Sequence, residues 1–146
     1  MEIETAQFGR IGIADSQIYS FPKGIPGFEE HDRFAIIDIE GTPFSYLQSL
    51  VQREISLLIT DPFVFYKDYE FELPVSVIEE LELGTEIQIR NIVTLQGEMQ
   101  QSTLNLLAPL VFNTASNVAR QVILHDSPYT SRHLLWGSSA PEKGAE

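Results

Sequence analysis

Short apolar runs rich in Ile, Val, Phe and Tyr recur along the chain, separated by clusters of turn-forming residues. Runs of this length bounded by Gly, Pro, Asn, Asp and Ser read as β-strands. The pattern predicts strands over residues 2–5, 9–13, 17–21, 34–39, 44–50, 55–61, 85–95, 103–113 and 118–125. Turns are predicted at 14–16, 21–30, 40–43, 97–101 and 114–117. Many short strands with regular breaks and little helix place the chain in the all-β class, as a small barrel-like or sandwich domain of antiparallel strands with one short helix.

The faces of these strands differ. In Glu86-Ile87-Gln88-Ile89-Arg90 the polar side chains alternate with isoleucines, the mark of a sheet with two unlike faces. Asn91-Ile92 breaks that phase, which predicts a bulge or a shift of face. Ala35-Ile36-Ile37 and Leu57-Leu58-Ile59 are apolar on both faces, so they should be covered on both sides, as in a closed or double-layered structure. The helix is predicted in "LPVSVIEELEL", residues 73–83. There Pro74 suits the first turn, Val75, Ile78 and Leu81 recur every three residues, and Gly84 closes the segment. It should cap or plug the β structure.

"FPKGIPGFEE", residues 21–30, sets two prolines and two glycines among Phe21, Ile25 and Phe28. A phosphate loop would end in Gly-Lys-Ser/Thr and lead into a helix, and a flexible linker would lack the aromatics. An ordered turn pinned to the core by its own apolar residues fits, with Gly24 and Gly27 free to take positive φ. In "STLNLLAPLVFN", residues 102–113, Pro109 interrupts the predicted strand and implies an edge, a bulge or a break. Asn105 and Asn113 there need hydrogen-bond partners if buried. An edge with free backbone groups would accept a partner's strand.

With 146 residues the chain suits one domain, read as residues 1–136 followed by a small, polar, flexible tail at 137–146, "GSSAPEKGAE". The stretch before the tail, "SPYTSRHLLW", either docks on the body or serves as a recognition segment. Cysteine is absent, which removes disulfides, thiolate metal sites and thiol nucleophiles. No secretory signal or membrane-length apolar run is seen, so a soluble intracellular protein is expected.

Net charge is −12. That opposes direct binding to nucleic acid, which rests on Lys and Arg neutralising phosphates, and to an anionic membrane. It suits either plain solubility or steering toward a basic protein. The charge is concentrated. Eight acids lie between Asp61 and Glu86, opposed only by Lys67, interleaved with Phe63, Phe65, Tyr66, Tyr69 and Phe71. Aromatic anchors rimmed by acids are what a protein interface uses; rings in the core beneath a solvated acidic face are the alternative. As partner-binding residues we single out Asp61, Phe65, Tyr69, Glu70, Glu72 and Glu86, with Asn105 and Asn113 on the expected edge segment.

Catalytic signals are weak. His125-Asp126-Ser127 places three reactive residue types in a row, but a relay is assembled in space, and no Gly-x-Ser-x-Gly elbow exists. His31, His125 and His133 lack metal-ligand spacing. The carboxylates leave open a β-barrel enzyme or small-molecule binder with a carboxylate/histidine pocket. An OB-like single-strand binder would need a basic groove, which scattered Lys and Arg do not supply.

Taken in order, "FPKGIPGFEE", "PFSYLQSL", "DPFVFYKDYEFEL", "STLNLLAPLVFN" and "RQVILHDSPY" resemble the FliW family of flagellar assembly factors. The pattern F-x-x-G-[IL]-P-G-F-E matches at Phe21, Gly24, Ile25, Pro26, Gly27, Phe28 and Glu29, and T-x-N-L-x-A-P matches at Thr103, Asn105, Leu106, Ala108 and Pro109. The resemblance implies a cytoplasmic β-barrel-like protein without catalytic activity or cofactor. It implies two partners. One is CsrA, a dimeric RNA-binding translational repressor that the protein antagonises. The other is flagellin, which titrates the protein and so matches flagellin synthesis to export. A monomer is expected in the free state.

Overall fold

The structure is a computed structural model and describes residues 1–136; the expected tail at 137–146 lies outside the described residues. The chain opens with a hairpin, β1 (Glu2–Thr5) and β2 (Gly9–Gly12), followed by β3 (Ile18–Ser20), β4 (Arg33–Asp38), β5 (Phe44–Ser49) and β6 (Ser56–Thr60). Two short helices come next, α1 (Pro62–Phe65) and α2 (Val75–Glu80). The remaining strands are β7 (Ile87–Thr94), β8 (Thr103–Leu104), β9 (Leu110–Asn113), β10 (Val118–Gln121) and β11 (His133–Leu134).

Seven of these strands form a closed barrel in the order β3-β4-β5-β6-β7-β9-β10, with β10 returning to β3. All pairings are antiparallel except the closing one, where Val118 of β10 meets Ser20 of β3 in parallel. Strand β8 adds to the far end of β7, and β11 adds to β8. The predicted strand over 103–113 is therefore two strands. Between them the Asn105 Oδ1 accepts the N–H groups of Leu107 and Ala108, both at 3.1 Å, which turns the chain ahead of Pro109. Nor is this segment a free edge, since β9 is paired on both sides, by β7 and β10.

Side chains fill the barrel rather than leaving a pore. Tyr19, Phe21, Phe34, Leu47, Ile59, Leu110, Phe112 and Ala119 make the interior. Phe21 stands edge-on to Phe34 and Phe112, with centroids 5.5 and 5.9 Å away. The turn at 21–30 closes onto this core: Ile25 is 2% exposed and Phe28 packs beside it. Its backbone is tied by Gly24 N–H to Phe21 O (2.8 Å) and Phe28 N–H to Ile25 O (2.7 Å). Gly24 holds φ +68°, and a Cβ there would sit 3.0 Å from the Glu29 Cα.

The outer wall is also apolar, and three separate layers cover it. The β1–β2 hairpin buries Ile3 with Ile13, Ile18 and Ala35. Helix α2 lays Val77 and Leu81 over Val111, Val122 and Leu124. A strap preceding α2 covers Val93, Leu104 and Leu106. This explains β7 without a bulge or change of face. Gln88, Arg90 and Ile92 pair with the interior residues Phe112, Leu110 and Ile59, whereas Ile89 and Val93 belong to the outer layers. Asn91 alternates onto that outer face and is fully buried under the strap. Helix α2 also ends before the predicted stop. Glu82, at φ +52°, takes the left-handed position that Gly84 was expected to supply, and Leu83 N–H bonds to Ile78 O at 3.0 Å, closing the helix C-terminus.

Replacing Gly24 by Ala should cost about 2–3 kcal/mol, from the left-handed backbone and the collision with backbone atoms of Glu29. Urea unfolding checks this, and an unchanged midpoint would contradict it.

Candidate functional site

The chain leaves the barrel wall at Asp61. This residue ends the predicted strand and starts a helix instead: its carboxylate accepts the Phe63 N–H at 3.0 Å, with Pro62 at the first helical position, where a missing N–H costs nothing. Helix α1 lasts a single turn, and residues 66–74 then run without regular structure to α2. Residues 61–74 form the strap.

Tyr69 fixes the strap. It is 4% exposed, and its ring lies 5.8 Å from Phe63, 5.2 Å from Phe71 and 4.8 Å from Tyr129, centroid to centroid. Its hydroxyl donates to the Leu106 carbonyl at 2.7 Å and accepts from the Asn91 side-chain amide at 3.2 Å. The same Asn91 amide donates to Asn105 O at 2.7 Å. Burial pushes the Tyr69 phenol up to about 12, against a lowering by the Asn91 hydrogen bond and with a small rise from neighbouring Tyr129. The segment "SPYTSRHLLW" docks here. Tyr129 Oη accepts the Glu70 N–H at 3.1 Å, Tyr66 Oη donates to Leu134 O, and Leu135 is fully buried. His133 Nε2 accepts the Thr130 N–H at 2.9 Å, which requires the neutral ring, and burial lowers its pKa.

The structure divides the residues singled out from the sequence. Glu70 and Glu72 are exposed along the strap. Asp61 is half-buried as a helix cap, and Phe65 is half-buried against Phe44, 5.8 Å away. Tyr69 belongs to the core side of the strap. Asn105 lies beneath the strap as the turn former. Glu86 is exposed but stands apart, next to the β7 end where Ile87 pairs with Asn113. Asn113 is 4% exposed. Its amide nitrogen donates to Leu81 O (2.8 Å) and Glu82 O (3.3 Å), and its oxygen accepts from Ala115 and Ser116 N–H. It ties α2 to the barrel, and its hydrogen-bonding capacity is taken up within the fold.

What remains outward is mainly negative and apolar, with Lys67 an exposed cation on the strap. Asp68, Glu79 and Glu82 are exposed with Glu70, Glu72 and Glu86. Among the described residues the ion pairs are Arg120–Glu80 at 2.6 Å, Arg53–Glu54, and Arg10 with Glu2 and Glu4, so those six acids have no cationic partner. Phe63 and Val64 on α1 and Val75 on α2 are 41%, 53% and 68% exposed. Val64 and Tyr129 were not singled out from the sequence. Val75 entered only in the expected apolar stripe of α2 with Ile78 and Leu81, whereas Val75 and Ile78 are exposed and the buried pair is Val77 with Leu81. The signal for Val64 and Val75 was their place in the acidic segment, and for Tyr129 the aromatic in the segment left undecided.

Open grooves flank the strap. One of about 390 Å³ lies between residues 70–74 and 123–129, and a second of about 520 Å³ between residues 64–69 and Tyr129. His125, Asp126 and Ser127 line the first, but Ser127 Oγ accepts the Tyr129 N–H at 3.0 Å. Among the described residues no cluster of His, Asp and Glu has the arrangement to hold a metal, and no helix is long and apolar enough to cross a membrane.

Fold and surface together define a small closed β-barrel dressed with an acidic, aromatic-backed strap. The family model described as FliW protein matches residues 2–135. Flagellar assembly factor FliW of Bacillus subtilis (strain 168) is 39% identical over 142 residues, covering 95% of this chain and 99% of that one. The protein of the same name from Desulfitobacterium hafniense (strain Y51) is 40% identical over 151 residues, covering 99% of each. A crystal structure of the flagellar assembly factor FliW superposes with a TM-score of 0.89 at 31% identity, covering 96% of this chain and 100% of the other. The chain belongs to the FliW family.

Because Tyr69 keeps its proton above its ordinary range when folded, its contribution to stability is complete below about pH 10 and is lost as pH rises from about 10 to about 12. Tyr69→Phe should lower stability at neutral pH by about 1–2 kcal/mol, since Asn91 and Leu106 lose a buried partner. It should also flatten the decline in unfolding midpoint above pH 10. An alkaline decline as steep in the variant as in the parent would show that Tyr69 does not carry it.

Proposed function

We propose that this protein regulates flagellar assembly in the cytoplasm by capturing CsrA, a basic dimeric RNA-binding repressor of translation, and that flagellin competes for it. Bound CsrA is withdrawn from its messages; flagellin that accumulates unexported takes the protein away and restores repression. The protein acts by binding alone, breaks no bonds and uses no cofactor.

The observation that carries this reading is the set of six exposed carboxylates without cationic partners among the described residues: Asp68, Glu70 and Glu72 on the strap that buried Tyr69 anchors, Glu79 and Glu82 on and just after α2, and Glu86 apart from them just before β7. An RNA-binding protein must display positive charge. Unpaired acids attract such a surface over about a Debye length and raise the encounter rate. The anchoring matters too, since a strap already ordered loses less entropy on binding than a loose loop. Flagellin termini, helical and apolar, call for hydrophobic surface instead. Phe63, Val64 and Val75 supply it on the same stretch, which supports competition between the two partners.

The triple variant Glu70→Lys/Glu72→Lys/Glu86→Lys should associate with CsrA at least about tenfold more slowly and release less CsrA-bound RNA, with an unfolding midpoint near that of the parent. Parent association should slow as salt rises. Rates that ignore both charge reversal and salt would sink the electrostatic reading.

A further inference from the structure

Barrel closure leaves the chain beyond β10 without a strand neighbour on its β3 side among the described residues. The pairing of β10 with β3 is limited to Val118 and Ser20, because β3 ends there and Phe21 opens the Pro-Gly turn. Beyond that point the chain stays extended along residues 107–109. Val122 N–H bonds to Pro109 O and Leu124 N–H to Leu107 O, each at 2.9 Å. The alternate N–H groups, of Ile123 and His125, face the other way, and among the described residues they meet no hydrogen-bond partner. Across the groove the strap segment 71–73 likewise has backbone N–H groups without a partner among the described residues.

Ile123 is 52% exposed between these two banks. The groove by the strap is contiguous with a second depression of about 530 Å³ toward Lys23, since Pro74, Ile123 and His125 line both. Proteins usually protect such an edge with lysine, proline, a bulge or a covering segment; residues 121–125 are Gln, Val, Ile, Leu and His. The two ends differ in charge. Glu70, Glu72 and Asp126 line one end, with Asp126 held at φ +53° and none of the three in an ion pair among the described residues. At the other end Arg120 is neutralised by Glu80, while Lys23 lines that depression in no ion pair among the described residues, so the preference for a cation is confined to the acidic end.

We propose that an extended segment of a partner protein, with alternating apolar and cationic residues, adds as a strand to the 121–125 edge and lies between it and residues 70–74. The edge supplies backbone hydrogen bonds, Ile123 an apolar contact, and the three carboxylates the preference for Lys or Arg. The inference shares Glu70 and Glu72 with the acidic surface proposed above, but the 121–125 edge, Ile123 and Asp126 are its own, and the amides of Ile123 and His125 report on it separately.

The probe is an end-capped octapeptide of alternating Val and Lys, titrated into the isotopically labelled full chain. The amides of Ile123 and His125 should shift saturably and exchange with solvent at least about tenfold more slowly when bound. A peptide N-methylated at alternate residues, and one with Glu for Lys, should each bind at least about tenfold more weakly. Ile123→Lys should weaken the parent peptide to the same degree with its melting temperature unchanged. Equal binding of the N-methylated peptide, absence of binding, or shifts confined to the outer acids would overturn the proposal. So would the same shifts produced by raising protein concentration alone, which would give the edge to a second copy of this chain.

Discussion

A narrow barrel of seven strands can fill its interior with its own side chains, but its outer wall still has to be kept from water. That requirement organises this molecule. In β7, Ile92 points into the barrel while Ile89 and Val93 point out of it, so neither face is solvent-tolerant. The hairpin, the strap and α2 each bury a small set of apolar residues against the wall and turn the rest of their side chains to water. The acidic surface thus follows from the fold: the residues between β6 and β7 that cover the wall are also the ones whose outward positions are Asp and Glu.

Tyr69 converts that cover from a loop into a fixed element. Its ring joins Phe63, Phe71 and Tyr129, while its hydroxyl reaches through to Leu106 O and Asn91. An apolar residue here would bury area as well but would leave the Asn91 amide and the Leu106 carbonyl short of a partner in a dry layer. The C-terminal segment completes the arrangement from outside, through Tyr129, Leu134 and Leu135. The strap's acids are therefore carried on a packed, hydrogen-bonded segment rather than on a loose loop.

Much of the fold was legible in the sequence because barrel strands announce themselves by length and turn spacing, and because Ala35-Ile36-Ile37 and Leu57-Leu58-Ile59 demanded cover on two sides. The Phe21–Phe28 turn was legible for the same reason: apolar anchors among prolines and glycines have few uses other than closing a core. Helix α1 was not legible, since four residues are too few to show a period, and Asp61-Pro62 read as the end of a strand although the pair is a helix start. Asn91 looked like a break in alternation because its burial depends on Tyr69, some twenty residues earlier in the chain. Whether an aromatic faces in or out is a tertiary fact. Composition placed Phe65, Tyr69 and the acids together, but only packing separates Tyr69 and Asn113, which hold the cover down, from Glu70 and Glu72, which face solvent.

The account depends on the strap being a packed layer of the barrel rather than a mobile loop. Amide hydrogen exchange in the free protein tests this directly. The N–H of Tyr69, bonded to Tyr66 O at 3.1 Å, and that of Glu70, bonded to Tyr129 Oη, should exchange within about tenfold of the amides of β5 and β6, because both open with the barrel. Exchange there at nearly the rate of an unstructured peptide, with β5 and β6 still protected, would contradict it.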